Sequence, residues 1–203
     1  MALTAVALNC SLKPSPAPSS TDTLLGQLNT ALEGHGVRTG GIVRVADHDV
    51  KPGVESDMGA GDEWPAIREQ ILAADIFLLG TPIWMGHPSS VCQRVLERVD
   101  AFLGEEDDQG RMISTDRVAG VVTVGNEDGA HHVAAELYQG LVDVGFTVPA
   151  NAQTYWVGRA MEGTDYRDLD EAPESVASQT EMVAAHLAHM AGLLAEHPDQ
   201  PVG

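Results

Sequence analysis

Five short apolar segments alternate with five segments of helical periodicity along this chain of 203 residues. Such a chain folds into a parallel sheet, because each helix carries the chain back across one face and the next strand runs in the same direction. We therefore predict an α/β protein with a doubly wound, five-stranded parallel sheet in the order 2-1-3-4-5 and helices on both faces. The predicted strands cover residues 3–9, 37–45, 75–80, 118–125 and a segment that begins at 146–148.

The predicted helices each place apolar side chains three or four residues apart, which is the spacing of one helical face. The marker residues are Leu24, Leu28 and Leu32; Trp64, Ile67 and Ile71; Val91, Val95 and Val99; Leu137, Leu141 and Val144; and Val176, Val183, Leu187, Met190 and Leu194. The segments between these elements, including residues 46–61 and 149–172, are expected to be loops. We expect a single domain over residues 1–203 with a frayed tail at 197–203.

Acidic residues dominate the charged side chains, with 30 Asp and Glu against 11 Lys and Arg and a formal net charge of −19 at pH 7. Such a surface repels nucleic acids and anionic membranes, so neither is expected as a partner. Hydrophobic residues make up 43% of the chain, which indicates a packed core and not disorder. No apolar run approaches the length of a membrane span and no basic leader precedes the first strand, so we expect a cytoplasmic protein.

The two cysteines, Cys10 and Cys92, lie far apart in sequence and belong to no metal-binding spacing. Whether they form a disulfide stays open at this point, although a cytosolic context favours free thiols.

The loop after the third predicted strand, residues 81–90, has an unusual composition for a connection. A proline stiffens its beginning, Trp84 and Met85 offer apolar surface, and Gly86 lets a ligand approach the backbone. Loops at the carboxyl ends of strands bind ligands in open α/β sheets. The composition alone leaves open whether Trp84 lies in the core of an ordinary connecting loop.

The loop after the first predicted strand, residues 10–22, combines three prolines with a cluster of hydroxyls that ends where a helix begins. Free N–H groups and the helix dipole make such a helix start an anion site, and a hydroxyl there can also cap the helix. The loop after the fourth predicted strand, residues 125–130, has two glycines and leads into another helix. In the predicted topology the three loops lie side by side, and together they suit a mononucleotide with a planar ring.

These residues resemble the flavodoxin-like NAD(P)H-dependent FMN reductases and their quinone-reductase relatives. The resemblance covers roughly residues 3–148, and its most specific part is the motif Thr-Pro-Ile-Trp-Met-Gly at 81–86. It implies a flavodoxin-like fold, FMN as cofactor, NAD(P)H as co-substrate, and a homodimer or homotetramer with FMN near the subunit boundary.

The resemblance also implies where the cofactor lies: the phosphate in the first loop and the ring against the other two. The candidate cofactor-binding residues are Ser11, Lys13, Ser19, Ser20, Thr21, Pro82, Ile83, Trp84, Met85, Gly86, Gly125, Asn126, Glu127, Asp128, Gly129 and His131. The first loop departs from the usual Ser-x-Arg form because it has no arginine. Either Lys13 supplies the positive charge, or the helix dipole and the hydroxyls hold the phosphate alone.

Other interpretations are weaker. The acidic segment 104–117 lacks the EF-hand spacing, and Glu127, Asp128 and His131 fit loop caps beside a ring better than a metal site, so no metal is predicted. No Gly-x-Ser-x-Gly elbow is present to indicate a hydrolase. Tyr155 and Trp156 could shape the mouth of the pocket or pack between subunits, and packing is the preferred interpretation.

We therefore predict an FMN-dependent oxidoreductase in which NAD(P)H transfers a hydride to FMN, and a quinone, free flavin or another small molecule accepts the electrons. No side chain is expected to act as nucleophile or base. The segment 126–129 contains no aromatic residue, so one face of the ring should be open to a nicotinamide. The alternatives are a one-electron carrier protein and a binding module without flavin.

Overall fold

The computed structural model describes residues 2–160 and 162–199 of the chain. Its strands are β1 (Thr4–Asn9), β2 (Arg38–Arg44), β3 (Ile76–Trp84), β4 (His87–Pro88), β5 (Val118–Gly125) and β6 (Gln153–Val157). Its α-helices are α1 (Ser20–Gly34), α2 (Trp64–Ala73), α3 (Ser90–Val99), α4 (Ala130–Asp143) and α5 (Glu174–Glu196). The order β2-β1-β3-β5-β6, all parallel, confirms the predicted five-stranded topology, and the short β4 pairs antiparallel with β3.

Two apolar layers enclose the sheet. Leucines of α1 and α5, such as Leu28 and Leu187, cover one face. The other face is covered by α2, α3 and α4 through residues such as Trp64, Val95 and Leu137. The central strands are buried on both faces, which explains their continuous runs of aliphatic residues.

The predicted position of the fifth strand was wrong. Residues 146–148 make only an isolated bridge from Thr147 to Val118, while the ladder with β5 is formed later by β6. The apolar character of Phe146 reflects burial, since its ring lies 5.5 Å from that of Phe77. Pro149 follows and has no N–H for a ladder, and Asn151 turns the chain with φ of 53°.

The third strand is longer than predicted, because β3 continues through Trp84. Thr81 and Pro82 pair with Thr123 and Val124 of β5, so the first half of the predicted loop is strand. On its other side β1 ends opposite Gly80, which leaves Pro82 facing no neighbouring strand there. A proline is tolerated at such an edge, because no partner needs its missing N–H.

The polar segment 46–61 is a loop, as predicted, apart from one short 3₁₀ turn at Val45–Asp47. Arg98 of α3 holds it in place by donating to the carbonyls of Lys51 (2.9 Å) and Glu55 (3.0 Å) and to the carboxylate of Asp62 (2.7 Å). The side chains of Arg98 and Asp62 are both fully buried, so this pair fastens the loop from inside the protein.

Part of the predicted tail is in contact with the acidic segment: the Asp199 N–H donates to Asp116 (2.9 Å), and Arg111 donates to the Asp199 carbonyl (2.7 Å). Residues 200–203 lie outside the described residues. Cys10 and Cys92 are free and buried. Burial, together with the hydrogen bond and charge of Cys92, raises the pKa of the Cys10 thiol. Within the described part of the chain, no helix has the length and apolarity to span a membrane.

Candidate functional site

A cavity of about 600 Å³ opens at the carboxyl edge of the sheet, where β1, β3 and β5 end side by side. Ligands bind at this edge in open α/β sheets, and the volume is typical of a small-molecule site. The lining residues are Ser11, Leu12, Lys13, Pro18, Ser19, Ser20, Thr21, Pro82, Ile83, Trp84, Met85, Val124, Gly125, Asn126, Glu127, Trp156, Ala160, Asp165 and Arg167.

The first loop is shaped by Asn9, a fully buried residue at the end of β1 that the sequence did not single out. Its side-chain oxygen Oδ1 accepts from the Ser11 N–H (2.9 Å) and hydroxyl (2.7 Å), and its side-chain nitrogen Nδ2 donates to Asp22 (2.9 Å). The Ser11 and Ser19 hydroxyls lie 2.6 Å apart. This network brings both ends of the proline-rich loop together at one end of the cavity.

Arg44, at the end of β2, fixes the middle of the same loop. Its guanidinium donates to the carbonyls of Lys13 (3.2 Å) and Ala17 (2.9 Å) and lies 3.5 Å from the carboxylate of Asp22. Arg44 is 9% exposed, and its guanidinium donates to carbonyls of the loop and not into the cavity. It does not line the cavity and cannot replace the arginine that the family's loop usually carries.

Unpaired donors remain at the start of α1. Ser19 caps the helix, and its hydroxyl accepts from the Asp22 N–H. Within residues 2–160 and 162–199, the N–H groups of Ser20 and Thr21 and the Thr21 hydroxyl have no hydrogen-bond partner. These free donors, with the helix dipole behind them, suit an anion, and the phosphate site at this helix start stays a prediction.

The second loop is a tight hairpin between β3 and β4. Trp84 pairs with His87, and Met85 and Gly86 turn the chain with φ of 52° and 79°. Positive φ at both central residues is the geometry of a type I′ turn, which glycine adopts freely and methionine does not. Trp84 is 54% exposed and lines the cavity, so it does not lie in the core. The hairpin thus presents Trp84 and Met85 at the mouth of the cavity.

The third loop, residues 125–130, lines the cavity next to the hairpin. Gly125 and Asn126 line the cavity, and the Asn126 amide donates to Asp165 (3.1 Å). Glu127 also lines it and lies 3.4 Å from the N–H of Gly86, so the second and third loops are joined. The third loop and the hairpin therefore form one continuous wall.

Most of the predicted site residues come together in this cavity. Gly86, Asp128, Gly129 and His131 do not line it. Gly86 and Gly129 lie behind the wall, where they pack against each other. His131 turns away from the cavity, and its ring meets that of Tyr155 edge-on at 5.1 Å.

Seven lining residues were not among the sequence-predicted candidates, and Trp156 and Arg167 are the two with an aromatic ring or a positive charge. Trp156, interpreted as packing, contacts Tyr166 at 5.5 Å between ring centroids and also lines the cavity, so it supplies an aromatic that the segment 126–129 lacks. Arg167 reaches the first loop from the segment after β6, donating to the Pro18 carbonyl (2.8 Å). Its N–H lies 3.4 Å from the Ser20 hydroxyl. The signal that could have found Trp156 is its place at the carboxyl end of the last strand.

Two acidic neighbours hold the Arg167 side chain in place. Asp165 lies 2.9 Å from one nitrogen of the guanidinium, and Asp168 lies 3.5 Å from another. Asp165 in turn accepts from Asn126, so the segment that carries Arg167 is tied to the third loop as well as to the first. A cation therefore stands beside the hydroxyl cluster even though the first loop has no arginine.

The fold and the cavity define a flavodoxin-like α/β protein with a nucleotide-type site at the point where the strand order reverses. The particular family follows from comparison with known proteins. A family model described as NADPH-dependent FMN reductase matches residues 3–162, and the chain belongs to this family. The protein is thus a flavin-dependent enzyme with FMN as its cofactor and NAD(P)H as its co-substrate.

Two comparisons cover nearly the whole chain. The 8-demethyl-8-aminoriboflavin-5'-phosphate synthase of Streptomyces davaonensis is 34% identical, with 98% of this chain and 80% of that protein aligned. The crystal structure of RosB with the bound intermediate 8-demethyl-8-formylriboflavin-5'-phosphate superposes with a TM-score of 0.88 at 33% identity, over 98% of this chain and 82% of that one.

A third comparison reaches a much longer protein. The divalent metal cation transporter MntH of Mycobacterium bovis is 36% identical over 95% of this chain, but the chain spans only 29% of that protein's length.

The residues at the cavity fit FMN. One end of the cavity suits a dianionic phosphate, because it offers the hydroxyls of Ser11, Ser19 and Thr21 and the free N–H groups at the start of α1. The apolar and aromatic side chains of Trp84 and Trp156 match a flat ring at the other.

Proposed function

We propose that this protein binds FMN noncovalently in the cavity and passes electrons from NAD(P)H to a small acceptor, such as a quinone or a free flavin. The observation that carries this proposal is the polarity of the cavity at the carboxyl edge of the sheet, with free donors and cations at one end and aromatic side chains at the other. FMN, when bound, supplies the redox chemistry. The side chains of the protein bind it, orient it and exclude water.

At the phosphate end, Ser11, Ser19, Ser20 and Thr21 act as donors, and Arg167 provides the charge. Arg167 is better placed than Lys13, because its guanidinium is already fixed by Asp165 and Asp168 and bonded to the first loop. A guanidinium that is ordered before binding loses less conformational entropy when it meets a phosphate.

At the ring end, Trp84 and Pro82 supply apolar surface from β3, and Trp156 supplies it from β6. The Asn126 side chain, oriented by Asp165, offers polar atoms to the ring edge. The mouth beside Trp84 and Met85 is where a nicotinamide and then the acceptor would stack. Trp84 is more than half exposed and Met85 almost fully, so neither covers a closed interior.

The second candidate function is chemistry on the flavin itself. The relative of 34% identity is a synthase of an 8-amino flavin phosphate, and RosB at 33% identity holds an 8-formyl flavin phosphate. In that case FMN would be substrate, and its 8-methyl group would be oxidised to a formyl group with dioxygen or another oxidant accepting the electrons. The same phosphate site would serve both functions.

Anaerobic stopped-flow mixing of the FMN-loaded protein with NADPH and with NADH tests the proposal. We expect one of the nucleotides to bleach the flavin absorbance in a single phase, and added quinone to restore it. If neither nucleotide bleaches the flavin while dithionite does, electron transfer from NAD(P)H is refuted, and the protein is either an electron carrier or the second candidate. Mass spectrometry of flavin recovered after aerobic turnover identifies the second candidate, which predicts a changed flavin mass.

The proposal includes a homodimer or homotetramer in the cytoplasm. Leu12, Trp84 and Met85 form exposed apolar surface beside the cavity mouth, and a second copy of the chain is the partner that would cover part of it while leaving the mouth open. Light scattering during size-exclusion chromatography tests this part, and a mass of 21.4 kDa would refute it.

A further inference from the structure

Three potential metal ligands converge outside the cavity. His87 of β4 lies 2.9 Å from a carboxylate oxygen of Glu136, measured from its Nδ1 atom, and His132 Nδ1 lies 3.1 Å from the same oxygen. The two imidazole rings meet edge-on with centroids 4.9 Å apart. Across residues 2–160 and 162–199, this is the one group of three or more His, Cys, Asp or Glu side chains whose ligand atoms all lie within 4.8 Å of one another.

The distances match a metal centre. Zinc bonds to imidazole nitrogen and carboxylate oxygen are about 2.0–2.2 Å long, so neighbouring ligand atoms of a tetrahedral site lie roughly 3.3 Å apart. The contacts of Glu136 with His87 and His132 are each within a few tenths of an ångström of that spacing. The ligand atoms of the two histidines lie within 4.8 Å of each other, so an ion bound between them and Glu136 would draw these side chains together.

The backbone already holds the ligands in place. His132 and Glu136 stand one turn apart on the same face of α4, as residues four apart do. His87 comes from β4, whose hairpin is fixed by pairing with Trp84 and by the packing of Gly86 on Gly129 at the start of α4. The third ligand is thus anchored to the helix that carries the other two.

We propose that His87, His132 and Glu136 bind a divalent transition-metal ion of the zinc type, with water in the remaining position. Two imidazoles and one carboxylate are a ligand set suited to such ions, and three protein ligands leave one position open. Both histidines are exposed, so an ion reaches them from solvent, and the net charge of −19 attracts cations to the surface. None of the three residues lines the flavin cavity, so the site is separate from it.

Calorimetric titration of chelator-treated, flavin-free protein with zinc chloride tests this proposal without relying on activity. We expect one ion per chain. Each of the variants His87→Ala, His132→Ala and Glu136→Gln removes one ligand and should weaken zinc binding by more than about tenfold. Loss of a residue that only hydrogen-bonds to a ligand already costs about that much. Titration with cobalt(II) should give the visible absorption of a four-coordinate ion in the wild type only.

The matched control is His35→Ala. His35 is also paired with a carboxylate, that of Glu181 at 2.8 Å, but it is not part of the three-ligand group. Zinc binding should be unchanged in this variant, and melting curves will show that every variant is folded. Equal zinc affinity in the wild type and in His132→Ala would overturn the proposal. So would the absence of zinc binding to the wild type, since the three side chains would then be only a hydrogen-bonded cluster.

Discussion

Gly86 and Gly129 pack backbone against backbone: a Cβ atom on Gly129 would lie 2.8 Å from the Cα of Gly86. Gly86 completes the hairpin that presents Trp84 to the cavity, and Gly129 caps α4 with φ of 126°. The contact therefore sets how the hairpin and the third loop lie against each other in the wall of the cavity, although neither glycine lines it.

We expect Gly129→Ala to lower the free energy of unfolding by about 1–3 kcal/mol, since the residue would be strained at this φ and would also push the hairpin away. FMN affinity should fall as well, because Trp84 moves with the hairpin. Urea unfolding and flavin titration measure the two effects. The control is Gly59→Ala, whose φ of 91° is also positive but whose Cβ would meet nothing within 4 Å. Equal losses of FMN affinity in both variants would show that the contact with Gly86 is irrelevant.

Arg167→Ala should weaken FMN binding by about 1–3 kcal/mol, the usual value of hydrogen bonds to a charged group. Riboflavin binding should change little, because riboflavin has no phosphate. Fluorescence quenching titrations with both flavins separate these effects. Arg159→Ala is the control, as its side chain is 84% exposed on the same segment. A loss of the same size for riboflavin would place the phosphate elsewhere.

Thr21→Val should weaken FMN binding by about 1–3 kcal/mol while leaving the free energy of unfolding nearly unchanged. Thr21 is almost fully buried but lines the cavity, its hydroxyl has no hydrogen-bond partner in the described part of the chain, and valine keeps its shape. Ser19→Ala is the comparison: it should weaken FMN binding and also destabilise the protein by about 1 kcal/mol, because Ser19 caps α1. Unchanged FMN affinity in Thr21→Val would remove this hydroxyl from the phosphate site.

Arg98→Met should lower the free energy of unfolding by about 3–5 kcal/mol, because it leaves the Asp62 carboxylate buried without its partner. The double variant Asp62→Leu with Arg98→Met should recover only part of this loss, because no charge is then left buried but three backbone N–H groups lose Asp62 as their acceptor. Urea unfolding at neutral pH measures both. A loss below about 1 kcal/mol, the value of an exposed pair, would show that the loop rearranges to expose Asp62.

The same pair predicts a pH dependence. Burial acts to raise the pKa of Asp62, but hydrogen bonds from Arg98 and from three backbone N–H groups outweigh it and hold that pKa below its ordinary value. The pair therefore stabilises the protein fully above about pH 4, where the unfolded carboxyl is ionised, and less as pH falls towards the lowered pKa. The stability advantage of wild type over Asp62→Asn should be constant from neutral pH to about pH 5 and shrink below pH 4. An advantage that grew on acidification would contradict this assignment.

Local signals were sufficient for the sheet order and most of the site. The alternation of apolar runs and amphipathic helices implies parallel strands, and parallel strands bring their following loops to one edge. That is why Ser11, Thr21, Trp84 and Asn126 could be assigned to one site before their distances were known. The position of the last strand could not be found in this way. Phe146 is apolar because it packs in the core, and its backbone does not pair in the sheet.

What the sequence by itself determined is therefore the architecture and the kind of ligand, because periodicity and loop composition are local properties of the chain. The tertiary structure alone decided which distant residues complete the site. Arg167 lies beside the hydroxyls of the first loop and donates to the Pro18 carbonyl, whereas Arg44 donates to the Ala17 carbonyl and does not line the cavity. Likewise His87 meets His132 and Glu136 only because the Gly86–Gly129 contact brings a hairpin against a helix. Contacts of this kind depend on packing in three dimensions, which no spacing along the chain encodes.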